Sequence, residues 1–311
     1  MSEPVTASTR HVPVLVREIV EFLGASEGGR FLDCTFGGGG HSRAILEASP
    51  LASVVGIDRD PAVEPMAERL QQEFGDRFQF RVGSFGDCCS QFGERSFDGV
   101  LADLGMSTDQ LHARRGFSLW EDAPLDMRMD PSLSLTADEI VNNYPLGKLV
   151  SLLQAGGVNS GEAHHFAKVI VQKRPIATAK KLAEVVENSA PRKLREKSSH
   201  PATVIFQALR IAVNEETAQL RDFLESIPSV IKAGGRLAII TFHSLEDRFV
   251  AKSMRHWGAG DTSPAWWPTK SRQRSLGKLL TRKAVRALTE EVQQNPASRS
   301  AGLRVFEFES E

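Results

Sequence analysis

The residues best suited to chemistry cluster in the first third of the chain. Asp33 sits on an apolar stretch, the run Gly37-Gly38-Gly39-Gly40 follows at once, and Asp58 closes the next apolar stretch. A further acid, Asp103, ends the segment Phe97-Asp98-Gly99-Val100-Leu101-Ala102. Carboxylates in such places accept hydrogen bonds from hydroxyls or amines. Glycines let a ligand reach bare backbone at the start of a helix. The other reactive side chains form no comparable set. Among the eight histidines, His41 follows the glycine run and His243 precedes Ser244, but no two histidines lie at i, i+4 with a suitable acid, so no metal is expected. Cys34, Cys88 and Cys89 are too few for a disulfide framework, and adjacent cysteines are not at metal-ligand spacing. A reduced, cytoplasmic setting is expected.

These residues need elements to hold them. Arg30–Phe36, Ser53–Asp58, Phe78–Val82 and Phe97–Asp103 read as strands, with helices expected from His41 and over Pro61–Phe74. Alternating strands and helices imply βαβ units and a parallel sheet, and such sheets bind ligands outside the carboxyl ends of their strands. The glycine run, Asp58, Ser84-Phe85 and Asp103 all fall at those ends. The next strand, Gly235–Thr241, comes only after residues 104–234, far more than the dozen or so residues a crossover needs. The intervening residues read as helical. Thr136-Ala137-Asp138-Glu139 is a capping box, Gly156-Gly157 stops a helix, Thr178 caps another, and Pro201 suits a first helical position before Ile205, Ala208, Leu209 and Ala212. Ser244 is expected to cap a further helix, and Leu303–Phe308 reads as a last strand. The expected division is a discontinuous α/β domain, residues 1–115 and 212–311, with an inserted helical domain at 116–211.

The dinucleotide fingerprint G-x-G-x-x-G fails, because its third glycine falls on Ser42 or Arg43. What remains is an acid on the first strand, a glycine turn and an acid ending the second strand, close to the ~20-residue offset of a ribose-binding carboxylate. That combination looks like an S-adenosylmethionine site in a Rossmann-like methyltransferase.

Longer blocks then match in order: His11-Val12-Pro13-Val14-Leu15, Asp33–Ser42, Gly56–Asp60, Asp103–Leu111, Arg115-Gly116-Phe117-Ser118, Pro124–Asp130, His200-Pro201-Ala202-Thr203, Phe206–Ile211 and Thr241–Arg248. Almost end to end, the chain resembles the bacterial 16S ribosomal RNA cytosine-N4 methyltransferases, the RsmH/MraW family. The resemblance implies an α/β, Rossmann-like class I S-adenosylmethionine-dependent methyltransferase with an inserted helical domain. It implies methylation of the exocyclic N4 of a cytidine in the decoding region of 16S rRNA, in the small ribosomal subunit. Carried over block by block, the cofactor contacts are Gly39, Gly40 and His41, Asp58 on the ribose, Phe85 beside the adenine, and Asp103 with Gln110 near the methionine end. Asp103 is the leading catalytic candidate, with backbone carbonyls as rivals. Substrate candidates are Arg115, Phe117, Arg128, His200, Arg210, His243, Ser244 and Arg248. Asp126 and Arg128 hold a structural salt bridge or touch RNA, and Arg210 either faces a cleft or pairs with an acid.

Other amine methyltransferases carry Pro-Pro-aromatic after the equivalent acid, where this chain has Leu104-Gly105-Met106-Ser107. The aromatic that stacks on a flipped cytosine must come from elsewhere, with Phe117 and Trp120 as candidates. A cytosine-C5 enzyme would need a thiolate nucleophile, which the cysteine positions disfavour. His164-His165 stand where the family usually carries Lys-Arg and Val204-Ile205 where it carries Arg-Thr, so phosphate contacts are expected to be redistributed.

Bulk composition advertises no nucleic-acid partner: Lys+Arg 38 against Asp+Glu 39 gives a net charge of −1. The distribution differs. Between Thr262 and Thr289 there are seven basic residues and no acid, with Trp266 and Trp267 at the front, a pattern suited to RNA. No apolar run approaches the ~18 residues of a membrane span, so no membrane partner is expected, and a homodimer is compatible with the sequence.

Overall fold

The computed structural model describes residues 13–106, 110, 113–196, 199–259 and 274–309. The expected aromatic pair Trp266-Trp267, with Lys270 and Arg272, lies outside the described residues. Two compact units are present. One is Met106–Thr217, and the other comprises the described residues of His11–Gly105 and Ala218–Glu311. The helical unit is therefore wider than 116–211 at both ends.

The α/β unit begins with α1 (Val16–Leu23), closed by Gly24 at φ 68°. There follow β1 (Gly29–Asp33), α2 (Gly40–Ala48), β2 (Ala52–Asp58), α3 (Glu64–Phe74), β3 (Phe78–Val82) and β4 (Phe97–Asp103). After the helical unit come β5 (Ile231–Thr241), β6 (Gly277–Leu279) and β7 (Gly302–Phe308). The strand order is β3-β2-β1-β4-β5-β7-β6. β3, β2, β1, β4 and β5 are parallel, and β7 runs antiparallel between β5 and β6.

Period-2 alternation supplies a core on each face of the sheet. Leu32, Val55, Val100, Leu237 and Ile239 pack in one cluster, while Phe31, Val54, Leu101, Ala238 and Ile240 pack in the other. The strand order reverses between β1 and β4, and a crevice at that switch point is where such sheets take ligands.

β1 stops at Asp33, not Phe36. Beyond it Cys34 N–H donates to Leu101 O and Phe36 N–H to Ile57 O. The Phe36 ring then packs against Phe78 and Phe80, with centroids 5.4 and 5.3 Å away.

In the helical unit α4 (Ala137–Asn143), α5 (Leu146–Ala155), α6 (Ser160–Gln172), α7 (Ala179–Ser189) and α8 (Thr203–Val213) enclose one apolar core. Thr136 caps α4 and Thr178 caps α7, as their spacing requires, and Gly156 ends α5. Pro201 is not the first helical residue. His200 Nδ1 accepts the Ala202 N–H at 3.2 Å, which holds that turn open and delays α8 to Thr203. Further helices are α9 (Glu216–Ser226), α10 (Ser244–Ala259) and α11 (Thr289–Gln294). Among the described residues, no helix is long and apolar enough to cross a membrane.

Candidate functional site

Gly39, Gly40, His41, Asp58 and Asp103 come together at the carboxyl ends of β1, β2 and β4. The turn after β1 is held by carboxylates on either side. Asp33 Oδ2 accepts from Ser42 Oγ at 2.7 Å and Oδ1 from Thr35 N–H at 3.2 Å, which ties β1 to the first turn of α2. Burial pushes the Asp33 carboxyl above the usual range, against the pull of His41 and those two bonds. Asp58 Oδ2 accepts Gly37 N–H at 2.7 Å and Oδ1 accepts Asp60 N–H at 2.9 Å. Burial raises its pKa as well. Each Asp58 oxygen keeps a second lone pair, which suits a pair of hydroxyls.

The glycines are required at this turn. Gly39 has φ 73°, and a Cβ there would stand 2.7 Å from the Phe36 ring; one on Gly40 would stand 2.7 Å from Pro13. Backbone N–H groups at the N-terminus of α2 can face an anionic or polar ligand.

His41 is buried between two partners. Its Nε2 is 2.8 Å from Val14 O and its Nδ1 is 3.7 Å from Asp103 Oδ2. The Asp103 N–H donates to Thr35 Oγ1 at 2.6 Å, fixing the end of β4 against the turn. Asp103 Oδ1 is sealed from solvent and accepts no hydrogen bond among the described residues. Burial pushes this carboxyl up to about 6, with His41 pulling it down and Asp33 and Glu246 adding to the rise. A buried acceptor left unsatisfied costs ~1–3 kcal/mol, which a hydrogen-bond donor brought to it would recover.

Phe85 is half-buried, three residues beyond β3, with its ring edge-on to Phe223 at 5.7 Å. Beside it Ser84 Oγ donates to Gln219 Oε1 at 2.9 Å. Gly105 packs against the Phe242 ring, which would lie 3.0 Å from a Cβ at that glycine. Sequence reading gave Thr35, Ser42 and Phe242 no separate role; the available signal was their place inside the blocks Asp33–Ser42 and Thr241–Arg248.

At α10 the expectation of a Ser244 cap is corrected. His243 Nδ1 accepts Glu246 N–H at 3.3 Å, while Glu246 Oε2 accepts from His243 N–H at 3.4 Å and Phe242 N–H at 3.0 Å. This is a capping box with His243 in the serine's role, and it leaves Ser244 exposed in the first turn. Arg248 is exposed one turn further on.

The remaining candidates belong to the helical unit, and most have internal partners. Phe117 is a core residue at 6% exposure, so it is not available as a stacking platform; Arg115 lies over its ring and donates to Arg128 O and Met129 O. Arg128 grips Asp126 at 2.7 and 3.0 Å and donates to Pro131 O and Leu133 O, so it clamps a loop. Arg210 makes two 2.8 Å bonds to Glu216. Gln110 is buried. His200 stands 3.6 Å from Glu187 and edge-on to Trp120, which is 73% exposed.

The three thiols stack within one core, Cys34 Sγ 3.7 Å from Cys88 Sγ and Cys88 Sγ 3.9 Å from Cys89 Sγ. Burial pushes the Cys34 thiol up, and hydrogen bonding among the sulfurs with burial does the same for Cys88 and Cys89. They are poor sources of a thiolate.

Known proteins resemble this chain along its length. The model of the MraW methylase family matches residues 8–309. A protein of Cyanothece sp. named ribosomal RNA small subunit methyltransferase H is 44% identical over 296 residues, covering 95% of this chain and 93% of its own. A protein of the same name from Synechococcus elongatus is 43% identical over 302 residues, covering 97% and 95%. A solved rRNA methylase from Streptococcus thermophilus aligns over 95% of this chain and 94% of its own, at 8% identity and a TM-score of 0.38.

Proposed function

This chain belongs to the MraW methylase family, and from that premise we propose that it methylates the exocyclic N4 of a cytidine in the decoding region of 16S rRNA. S-adenosylmethionine is the methyl donor, and the fold is that of Rossmann-like class I methyltransferases. The substrate is the small ribosomal subunit, with the enzyme in the cytoplasm.

The observation that carries the reading is Asp103, a carboxylate at the end of β4 with an unused buried acceptor and a pKa of about 6. Cytosine N4 is a weak nucleophile because its lone pair is delocalised into the ring. When bound, S-adenosylmethionine supplies an electrophilic methyl group. Asp103 accepts a hydrogen bond from the amine, orients its lone pair, and takes the proton released when the new N–C bond forms. With a pKa near 6 it is mostly ionised at neutral pH and still basic enough for that task. The glycine turn and Asp58 suit the donor's ribose and carboxylate ends, and Phe85 its adenine. Buried, protonated thiols favour N4 over a C5 route that needs a thiolate. Trp120, an exposed aromatic, is the better stacking candidate for the target base.

The test is methyl transfer from radiolabelled donor to small subunits from a strain lacking this modification, read by nucleoside mass spectrometry. N4-methylcytidine from the wild type, and little from Asp103→Ala, is the expected result. Label at C5 would overturn the reading.

A further inference from the structure

We infer that a second, arginine-lined groove on the α/β unit binds the phosphodiester backbone of RNA. This rests on the RNA-methylating reading above but concerns a surface apart from the glycine turn. Ser244, Asp247, Arg248, Ala251 and Arg255 lie at i, i+3, i+4, i+7 and i+11 along α10, a single helical stripe. Leu279 from β6, Arg282 just after it and Arg304 from β7 complete the walls of a cavity of about 440 Å³.

Four guanidinium groups therefore share this groove with one carboxylate. That carboxylate, Asp247, is already taken by Arg304 through bonds of 2.6 and 3.0 Å. Arg304 holds the Asp247 carboxyl below the usual range, aided by Arg286 and Arg255. Among the described residues Arg255 bonds through its Nε alone, to Ala251 O at 2.9 Å, which leaves its terminal nitrogens for a ligand. Arg248 and Arg282 are exposed and have no hydrogen bond or ion pair among the described residues.

Such crowding of like charge is unfavourable on its own, and in a chain of net charge −1 it does not follow from composition. An anion repays it. Planar guanidinium forks match phosphate oxygens two at a time. Ala251 and Leu279 add apolar lining between the guanidinium groups, and guanidinium contacts to phosphate oxygens position the RNA without choosing its sequence.

The experiment measures binding, separately from methylation. A labelled stem-loop RNA from the 16S decoding region is titrated with wild type, Arg248→Ala, Arg282→Ala and the double variant over a range of salt. The double variant should weaken binding at least tenfold at about 0.15 M salt. The slope of log affinity against log salt should fall by ~1.4, about 0.7 for each lost contact to single-stranded RNA. Donor affinity and Tm should stay at wild-type values. Unchanged affinity and slope would overturn the inference and leave the N4 reading standing. A methylated product other than N4-methylcytidine would sink that reading while a reduced slope still supported the groove. Inorganic pyrophosphate is the second probe: if it binds as tightly as the RNA and loses affinity equally in the variants, the groove is a small-anion site and the backbone assignment fails.

Discussion

His41 joins Asp103 to the segment before α1: its Nδ1 stands 3.7 Å from Asp103 Oδ2, and its Nε2 lies 2.8 Å from Val14 O. His41 pulls the Asp103 pKa down against the larger effect of burial. Replacing it removes that pull, so the acid limb of the pH–rate profile in His41→Leu should move above about 6. Activity at pH 8 should recover better than at pH 6.5. A profile that keeps its wild-type midpoint while only Tm falls would reduce His41 to a packing residue.

Asp103 itself gives two readouts of opposite sign. Asp103→Asn should lower kcat by ~10²–10⁴-fold, the range for a lost general base. Its pKa in the folded chain is raised from 3.8 to about 6, so the folded state binds the proton more tightly than the unfolded one. Asp103 therefore contributes stability that is fully present below pH 3.8 and is lost as pH rises through about 6. The asparagine variant should gain on the order of 3 kcal/mol over wild type at pH 7.5, about 1.4 kcal/mol for each pH unit between 3.8 and about 6, and the gain should shrink as the pH falls towards 4. Thermal melts across that interval measure it.

Substitution in the glycine turn should separate conformation from packing. Gly39→Ala meets both a φ of 73° and the Phe36 ring, whereas Gly40→Ala meets only Pro13. The left-handed backbone alone costs ~1–2 kcal/mol. Gly39→Ala should be the less stable of the two and should lose donor affinity at least tenfold, as calorimetry of the purified variants would record.

The two candidate aromatics should behave in opposite ways. Phe117→Ala empties a core site and should cost ~3–5 kcal/mol of stability. Trp120→Ala should leave Tm nearly unchanged and weaken substrate binding by ~1–3 kcal/mol, the worth of one stacked base. Paired melting and subunit-binding measurements decide it. Equal substrate affinity in Trp120→Ala would remove Trp120 from the recognition surface.

Asn214 is fully buried and bonds Met129 N–H at 2.8 Å, Met127 O at 2.8 Å and Arg210 O at 2.9 Å. It also braces Met127, whose φ is 58°. Asn214→Leu orphans several buried polar groups at ~1–3 kcal/mol each. A drop in denaturation midpoint should follow; an unchanged one would mean the loop closes without this side chain.

Local chemistry was written in the sequence. Alternating apolar residues set β1 to β5 and β7, Thr136 and Thr178 announced their helices, and the glycines with Asp58 and Asp103 marked the strand ends, because each signal lies within a few residues of its effect. Long-range packing decided the rest. It placed β7 antiparallel between β5 and β6 and buried Phe117 while exposing Trp120; the His243 cap of α10 and the Arg128 clamp are themselves local bonds, chosen among rival partners equally near in the chain. Packing also brought Arg282, just after β6, and Arg304, on β7, into the groove that Arg248 lines. A side chain's type says what it can bond to, but its partner is fixed by which segments the buried sheet and the helical core bring within reach.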